Sequence, residues 1–231
     1  MQPYFFPYLG YFSLMAAVDV FLVYDNVQYS RPGWINRNRL LREGAPDWWT
    51  ATVEDAPHQL DINQRRYQNW AQQRGRLFDR LRDRYRGAAN SATGMALVDA
   101  ALPTDEDNVA RCNAALLTTL VKALGLKCDI RMASSIAQDR ALSGEARVLA
   151  LCKAVGGSSY VNSPGGMGLY SPSTFVEHGL ELRFVEASPA AYPQFGAPFV
   201  PGLSIVDALM FLPMDAVVER IEQFNLVESR S

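Results

Sequence analysis

Several features that mark common functional classes are scarce in this sequence. Its 231 residues carry 22 Lys and Arg against 24 Asp and Glu, so no net basic charge draws it to nucleic acid or an anionic membrane. Its three cysteines, Cys112, Cys128 and Cys152, are widely spaced and odd in number, and no signal-peptide pattern is present. We therefore predict reduced thiols in a cytoplasmic protein. The two histidines, His58 and His178, match no zinc-binding spacing, so we predict no metal site.

Apolar runs long enough to cross a bilayer are also missing. Residues 203–212 form one of the longest runs, and Asp207 interrupts it. We expect no membrane span. The 48% of hydrophobic residues is ordinary for a globular protein, and the length suffices for one sizeable core. We predict a single α/β domain over residues 1–231 and leave its oligomeric state open.

Aromatic residues, by contrast, are concentrated at the start of the chain. Residues 1–12 (MQPYFFPYLGYF) contain three Tyr, three Phe and two Pro. The prolines fix φ and remove backbone donors, which excludes a helix or a central strand at this point. A rigid aromatic loop of this kind predicts the wall of a binding pocket.

The rest of the chain alternates between strand-like and helix-like patterns. Compact apolar runs predict strands at residues 19–25, 48–53, 128–133, 159–162 and 180–186, and residues 28–42 read as a polar loop. Amphipathic patterns predict helices at residues 9–18, 61–86, 104–124, 144–155, 173–178, 204–212 and 215–224. The alternation predicts an α/β fold with a largely parallel, Rossmann-like sheet and helices on both faces. We add a helical insertion at about residues 60–104 and a C-terminal helical cap.

The predicted helix at residues 61–86 carries eight arginines on its polar face. We interpret this face as solvated, because Asp79 and Asp83 partly neutralise it. An RNA-binding surface is the alternative. On balance we predict no nucleic-acid partner.

In open α/β sheets, ligands bind beyond the carboxyl ends of the strands. Asp25 closes the first predicted strand, which suits a catalytic base or a Mg²⁺ contact, with a turn cap as the alternative. Arg37 offers a planar fork of donors for phosphate or carboxylate, and we predict a catalytic role for it. The residues predicted to bind substrate are Gln2, Tyr4, Tyr8, Gly10, Tyr11, Gln28, Trp34, Asn36, Asn38, Ser143, Arg147, Pro164, Gly165 and Tyr170.

Trp34, Asn36 and Asn38 combine a ring that can stack with amides that suit sugar hydroxyls or a base edge. The alternative is a network that caps turns within the loop, with Arg37 paired to an acid. We weigh binding slightly above that alternative.

Ser143 opens a predicted helix, where free N–H groups attract anions, and Arg147 lies one turn further on. An ordinary N-cap is the alternative. Pro164 and Gly165 begin a glycine-rich loop that can close on a ligand, although it matches neither the dinucleotide fingerprint nor the P-loop.

Residues 2–12, 24–29 (YDNVQY) and 33–39 (GWINRNR) resemble the WbqC-like protein family. Residues 147–156, 160–165, 192–194 (YPQ) and 203–207 (LSIVD) extend the resemblance over nearly the whole chain. Members accompany genes for bacterial surface polysaccharides such as O-antigen, and other biosynthetic genes. The resemblance implies a cytoplasmic transferase that acts on a small-molecule substrate, such as a nucleotide-activated sugar. It implies no particular cofactor.

Two departures from the family pattern matter. The family has hydrophobic residues that form a strand before the Gln-Pro, whereas this sequence has Met1 there, so we expect an upstream start or a shortened strand. The family tends to have two acids where this chain has Asp25 and Asn26, which weakens the metal hypothesis. The layout is also similar to nucleotidyltransferase-like folds, but Tyr8 and Tyr11 replace their histidines, so adenylylation is not implied. A non-catalytic binding or assembly module is the alternative function, since no nucleophile or histidine base is recognisable.

Overall fold

The computed structural model describes residues 1–137, 139, 141–196 and 198–228. Its helices are α1 (Leu9–Ala16), α2 (Trp70–Arg84), α3 (Ser91–Ala101), α4 (Val109–Ala123), α5 (Gly144–Ala154), α6 (Pro172–Glu177), α7 (Ile205–Phe211) and α8 (Met214–Ile221). Its strands are β1 (Val20–Val23), β2 (Arg37–Arg42), β3 (Ala45–Thr50), β4 (Asp129–Met132), β5 (Ser159–Asn162), β6 (Glu181–Ala187) and β7 (Phe224–Val227). Short 3-10 helices cover Ile62–Gln64, Ala133–Ser135 and Pro164–Leu169.

The strands pair in three small groups within the described residues. β1 and β4 are parallel, β2 and β3 form an antiparallel hairpin, and β6 lies between a parallel β5 and an antiparallel β7. The prediction of an α/β protein with parallel pairs is confirmed. The single Rossmann-like sheet is not confirmed, because β1–β4 and β5–β6–β7 are separate sheets in the described part of the chain.

Met1 lies beside β1. Its amino group donates to the Leu22 carbonyl at 2.9 Å, and the Tyr24 N–H donates to the Met1 carbonyl at 2.7 Å. This is the hydrogen-bonding pattern of neighbouring parallel strands. The pairing brings the aromatic loop that follows Met1 next to the strand that ends at Tyr24.

Two predicted helices begin later than their patterns indicate. The helix predicted from residue 61 starts at Trp70, because the residues before it form isolated β-bridges with other segments, one of them between Val53 and Tyr67. The helix predicted from residue 104 starts at Val109, and Asn108 rather than Thr104 caps it by accepting the Arg111 N–H at 3.1 Å. In both places pairing with another segment overrides the local helical preference.

Two strands lie where the sequence predicts none. Residues 37–42, predicted as loop, form β2, because every residue of that segment pairs with β3. Phe224–Val227 pairs with β6, so the C-terminal region adds an edge strand to the predicted helical cap. Each of these strands is stabilised by hydrogen bonds to its partner strand.

Two hydrophobic cores stabilise the described structure. The larger one packs residues from α1, α4 and α7 against the β2–β3 hairpin and α2. The smaller one lies between α5, α6 and β6, and includes Leu149, Cys152, Phe175 and Phe184. Among the candidate residues, Tyr4 and Tyr11 pack in the larger core and Tyr170 packs against the smaller one. None of the described helices is long and apolar enough to cross a membrane.

Candidate functional site

The N-terminal aromatic loop lies mostly inside the larger core. Phe5 and Phe6 are fully buried, and both rings contact Trp49, with centroids 4.9 and 5.2 Å away. Tyr11 is 1% exposed, its hydroxyl donates to the Gln2 carbonyl at 2.6 Å, and burial raises its pKa well above the usual value. The ring and hydroxyl of Tyr11 therefore pack within the protein, and its role in a pocket wall stays a prediction.

Asn38 holds this loop in place. Its side-chain amide donates to the carbonyls of Phe5 at 3.1 Å and Phe6 at 2.9 Å, and it is 1% exposed. Phe6 has a φ of 42°, an unfavourable conformation for a residue with a side chain. The Ser204 hydroxyl also donates to the Phe6 carbonyl, at 2.7 Å. Asn38 thus supports the strained turn and is not available to a ligand.

Tyr4 and Tyr8 keep part of their surfaces accessible. Tyr8 is 36% exposed, and burial of the rest of each ring raises the pKa of both tyrosines. Gly10 lies under the Tyr8 ring, where an added Cβ would stand 2.8 Å from Tyr8 Cε2. Gly10 is thus required by packing at the start of α1, while Gln2 is half-buried and supports Tyr11 through its carbonyl.

The hairpin carries a second group of candidates, which we call the hairpin cluster: Trp34, Arg37, Arg39 and Trp48. The Arg37 guanidinium lies over the Trp48 ring at 4.1 Å, and Arg39 lies over Trp34 at 5.3 Å. Arg37 Nε donates to the Gly33 carbonyl at 3.1 Å. The cluster is a set of cation–π contacts on the hairpin surface.

Two further candidates serve mainly to connect loops. Asn36 donates to the Ala51 carbonyl at 2.7 Å and so joins the two arms of the hairpin beyond β3. Gln28 is exposed, and its amide nitrogen lies 2.8 Å from His58 Nδ1. The roles of Asn36 and Gln28 in substrate binding stay predictions.

Asp25 is fully buried at the end of β1. Its carboxylate accepts the Asn63 side-chain amide at 3.0 Å and the Ser134 N–H at 2.9 Å. These bonds join the ends of β1 and β4 to the 3-10 turn at Ile62–Gln64. This geometry suits a residue that positions the neighbouring loop, and the catalytic role of Asp25 stays a prediction.

Directly after β1, the structure assembles a group that we call the strand-end cluster: Tyr24, Asn26, Arg147, Tyr160 and Tyr170. The Arg147 guanidinium, on α5, lies 4.7 Å over the Tyr24 ring. It donates to the Asn26 side-chain oxygen at 2.5 Å and to the Asn26 carbonyl at 3.3 Å. Arg147 therefore connects α5 to the loop that follows β1.

Tyrosines from the segment around β5 complete the cluster. The hydroxyls of Tyr160 and Tyr170 lie 3.1 Å apart, and their rings meet edge to face at 5.3 Å. Burial raises the pKa of both Tyr24 and Tyr160; the Arg147 charge opposes this at Tyr24, and Tyr170 adds to it at both. These phenols remain protonated donors at neutral pH.

The glycine-rich segment folds as the 3-10 helix Pro164–Leu169. Pro164 and Gly165 are exposed, and a Cβ added at Gly165 would meet open space. Gly166 is the constrained glycine, because its Cβ would stand 2.5 Å from Asn162 Nδ2. This close approach lets Tyr170 return to β5 and meet Tyr160.

Ser143 precedes α5, as predicted, but its exposed hydroxyl makes no capping hydrogen bond. Instead Glu145 accepts the Ser171 N–H at 2.6 Å, which ties the start of α5 to the start of α6. The expected anion contact at Ser143 stays a prediction.

The thiols are enclosed. Burial raises the pKa of Cys128 to about 12 and that of Cys152 to about 11, and it raises that of Cys112 further still. A thiol with such a pKa is a poor nucleophile at neutral pH. Among the described residues, no group of three or more His, Cys, Asp or Glu side chains is arranged to hold a metal ion.

The structure thus brings Arg147 and Tyr170 together, and places Arg37 with Trp34 on the hairpin. Sequence reasoning did not select Tyr24, Asn26 and Tyr160 as site residues. The available signal was position, because Tyr24 and Asn26 flank Asp25 at the carboxyl end of a predicted strand.

Known proteins place the chain in a family. The WbqC-like protein family matches residues 2–219. The uncharacterized protein Rv1507c of Mycobacterium tuberculosis (strain ATCC 25618 / H37Rv) is 27% identical over 228 residues, which cover 94% of each chain. No solved structure matches. Since the match spans the aromatic loop, the hairpin cluster and the strand-end cluster, this chain belongs to the WbqC-like protein family.

Proposed function

We propose that this protein is a cytoplasmic biosynthetic enzyme that transfers a group to or from a nucleotide-activated sugar or a related anionic metabolite. The ligand binds at the strand-end cluster. The observation that carries the proposal is the Arg147 guanidinium, which is stacked on Tyr24 and held by Asn26 at the carboxyl end of β1.

A guanidinium held in this way is suited to phosphate. Its donors are planar and permanently charged, and stacking on Tyr24 together with the Asn26 bonds restricts its rotamers before a ligand arrives. A pre-positioned side chain loses less conformational entropy on binding. The same cluster offers the Tyr170 hydroxyl, which lies 3.1 Å from the hydroxyl of Tyr160, and burial raises the pKa of Tyr160.

The position in the fold supports the same proposal. Loops beyond the carboxyl ends of parallel strands bind ligands in open α/β sheets. The cluster lies at the carboxyl end of β1 and includes Tyr160 on β5 and Tyr170 after it, so it joins two parallel strand pairs that belong to separate sheets. In the reaction, an acceptor oxygen forms a bond to the transferred group. The bond to the leaving phosphate oxygen breaks, the phosphate keeps the electron pair, and the acceptor proton passes to a base.

Ligand-induced stabilisation tests the proposal. We expect UDP-glucose to raise the unfolding temperature, with glucose giving no shift, and we would repeat each measurement with and without Mg²⁺. Arg147→Gln should weaken UDP-glucose binding at least about tenfold, since a charge-assisted phosphate contact is lost. Tyr170→Phe should weaken it less, and Arg183→Gln, a surface arginine that pairs with Glu228, is the matched control.

The proposal is wrong if UDP-glucose binds Arg147→Gln as tightly as the wild type. It is also wrong if neither UDP-glucose nor the related donors GDP-mannose and dTDP-glucose shift the unfolding temperature. Circular dichroism of each variant separates a binding defect from a folding defect.

One observation favours a second function, a non-catalytic binding module. The Asp25 carboxylate, the predicted base, is fully buried and engaged by Asn63 and Ser134. Phosphorus NMR of the protein with UDP-glucose distinguishes the two functions. Release of UDP supports the enzyme, whereas Arg147-dependent binding without any phosphorus product supports the module.

A further inference from the structure

A trough between α2 and β3 lies apart from the strand-end cluster. The helix runs antiparallel to the strand and is fastened to it in three places. Gln73 bonds to Thr52 at one end, Trp49 Nε1 donates to the Leu77 carbonyl at 3.3 Å in the middle, and Arg84 pairs with Asp47 at the other end. The two elements therefore form the side walls of one continuous surface.

Side chains of both elements line this surface. Trp48 and Thr50 are two residues apart on β3 and share the face opposite to Trp49, and Arg76 and Arg80 are one turn apart on α2. Two adjoining clefts result, of about 610 and 330 Å³, and Arg80 lines both. We call them together the α2–β3 trough. Along the wall that α2 forms, the helix rises roughly 16 Å between Gln72 and Asp83. This length is enough for more than one ring-sized ligand unit.

The smaller cleft has a lining dominated by uncharged hydrogen-bonding groups. Its polar uncharged lining residues are Thr50, Thr52, Gln68, Asn69, Gln72 and Gln73. Gln73 is engaged by the Thr52 backbone, whereas Gln68, Asn69 and Gln72 are exposed. Amides and hydroxyls both donate and accept, so this half of the trough is matched to hydroxyl groups.

The larger cleft adds aromatic rings and balanced charge. Trp48 is 41% exposed and Phe195 is 49% exposed, and both line it. Its acids are Glu43, Asp47 and Asp83, of which Asp47 pairs with Arg84 and with Arg42 at 3.7 Å. The trough as a whole has four arginines, Arg42, Arg76, Arg80 and Arg84, against these three carboxylates, and Asp47 pairs with two of the arginines. An excess of one basic group is small for a polyanion such as single-stranded nucleic acid, which needs a basic groove along its backbone.

We propose that the α2–β3 trough binds a linear, uncharged oligosaccharide. The C–H faces of sugar rings stack on the exposed parts of Trp48, whose ring also carries the Arg37 guanidinium at 4.1 Å, and of Phe195, which packs edge to face on Phe211. The hydroxyls exchange hydrogen bonds with the amides of the smaller cleft and the paired charges of the larger one. A hydrophobic peptide would leave these polar side chains unpaired, which is costly. The site does not depend on the strand-end cluster.

Isothermal titration calorimetry of the full chain tests this proposal, with maltohexaose, cellohexaose and chitohexaose as probes and glucose and the single-stranded DNA dT12 as comparisons. We expect at least one hexasaccharide to bind, and to bind at least tenfold more tightly than glucose. Trp48→Ala should weaken it at least tenfold and Gln72→Ala less. Leu226→Ala, which removes an exposed apolar side chain on β7, should change nothing.

The proposal is overturned if none of the three hexasaccharides binds, if Trp48→Ala binds as the wild type does, or if dT12 binds instead with a steep salt dependence. Arg147→Gln separates this site from the proposed enzymatic one. Hexasaccharide binding should be unchanged in that variant, whether or not UDP-glucose binding is lost.

Discussion

The N-terminal aromatic loop and the strand-end cluster both bring several aromatic rings together, but their rings have different neighbours. Phe5 and Phe6 pack on Trp49 and are fully buried. Tyr24 and Tyr170 are half-buried and contact a guanidinium or another hydroxyl. The first region is part of the core, and the second is a polar surface with fixed geometry.

The difference shows that a high density of aromatic residues does not by itself indicate a pocket. In the aromatic loop, the rings pack against one another, and the Asn38 side-chain amide donates to the backbone carbonyls of Phe5 and Phe6. In the cluster, the Tyr24 ring contacts the Arg147 guanidinium and the Tyr160 hydroxyl contacts that of Tyr170, and we propose that this polar arrangement binds the ligand. Truncation should therefore reduce stability in the loop and ligand affinity in the cluster.

The largest effect is expected for Phe5→Ala. Removing a fully buried ring that contacts Phe6, Trp49 and Tyr67 should lower the free energy of unfolding by about 3–5 kcal/mol. Urea denaturation measures the loss. Tyr170→Phe in the strand-end cluster is the counterpart, and it should cost about 1 kcal/mol or less. If the two variants lose the same free energy of unfolding, the aromatic loop and the strand-end cluster do not differ in their contribution to stability.

Asn38→Ala should have the next largest effect. It leaves the carbonyls of Phe5 and Phe6 without this donor in a buried place, and we expect a loss of about 2–3 kcal/mol. Asn36→Ala, which removes one bond to the Ala51 carbonyl, is the matched control and should cost about 1 kcal/mol. If Asn38→Ala costs no more than the control, the turn at Phe6 does not depend on Asn38.

A pH dependence of stability should come from Asp207 in the larger core. Burial raises its pKa, although Tyr85, Tyr192 and Gln194 donate to its carboxylate. The folded state then holds a proton that the unfolded state loses near pH 4, so stability falls as pH rises from there through the folded pKa.

Asp207→Asn should remove that slope, and urea midpoints measured between pH 4 and 7 would show it. The exposed Asp215→Asn serves as the control. A wild-type slope that persists unchanged in Asp207→Asn would assign the titration to another group.

The smallest expected effect is a difference in the rate of cysteine labelling between the two cores, and it needs no mutation. Cys112 lies in the larger core and Cys152 in the smaller one beneath Tyr160, and burial raises the pKa of Cys112 more. Iodoacetamide at pH 8 should modify Cys152 about a hundredfold more slowly than a free cysteine, and Cys112 more slowly still. Mass spectrometry of the labelled peptides gives the order, and faster labelling of Cys112 would contradict it.

Much of the fold was predictable from local patterns. β1, β4, β5, β6 and α5 lie where the apolar patterns predict them. The strand β2 was missed because its sequence, RNRLLR, is mostly polar and includes the buried Asn38. Its conformation depends on pairing with β3, which no local pattern encodes.

The candidate site was predictable in part. Arg147 was selected in the first turns of a predicted helix and Tyr170 in the glycine-rich loop after a predicted strand, and the structure places both beside Tyr24. Asn38 and Tyr11 were selected for their chemistry, yet the core uses that chemistry to satisfy its own backbone. The sequence alone does not show whether a polar side chain forms its hydrogen bonds with a ligand or with a distant backbone carbonyl.

By itself, the amino-acid sequence determined the family, the alternating helices and strands, and the rigidity of the aromatic loop. These follow from short-range properties such as periodicity, proline geometry and a long motif. Only the tertiary structure decided which aromatic residues are buried in a core and which stay partly exposed beside polar groups. That choice depends on contacts between residues far apart in the chain, such as Asn38 with Phe6 and Arg147 with Asn26, and burial determines whether their hydrogen bonds are already used.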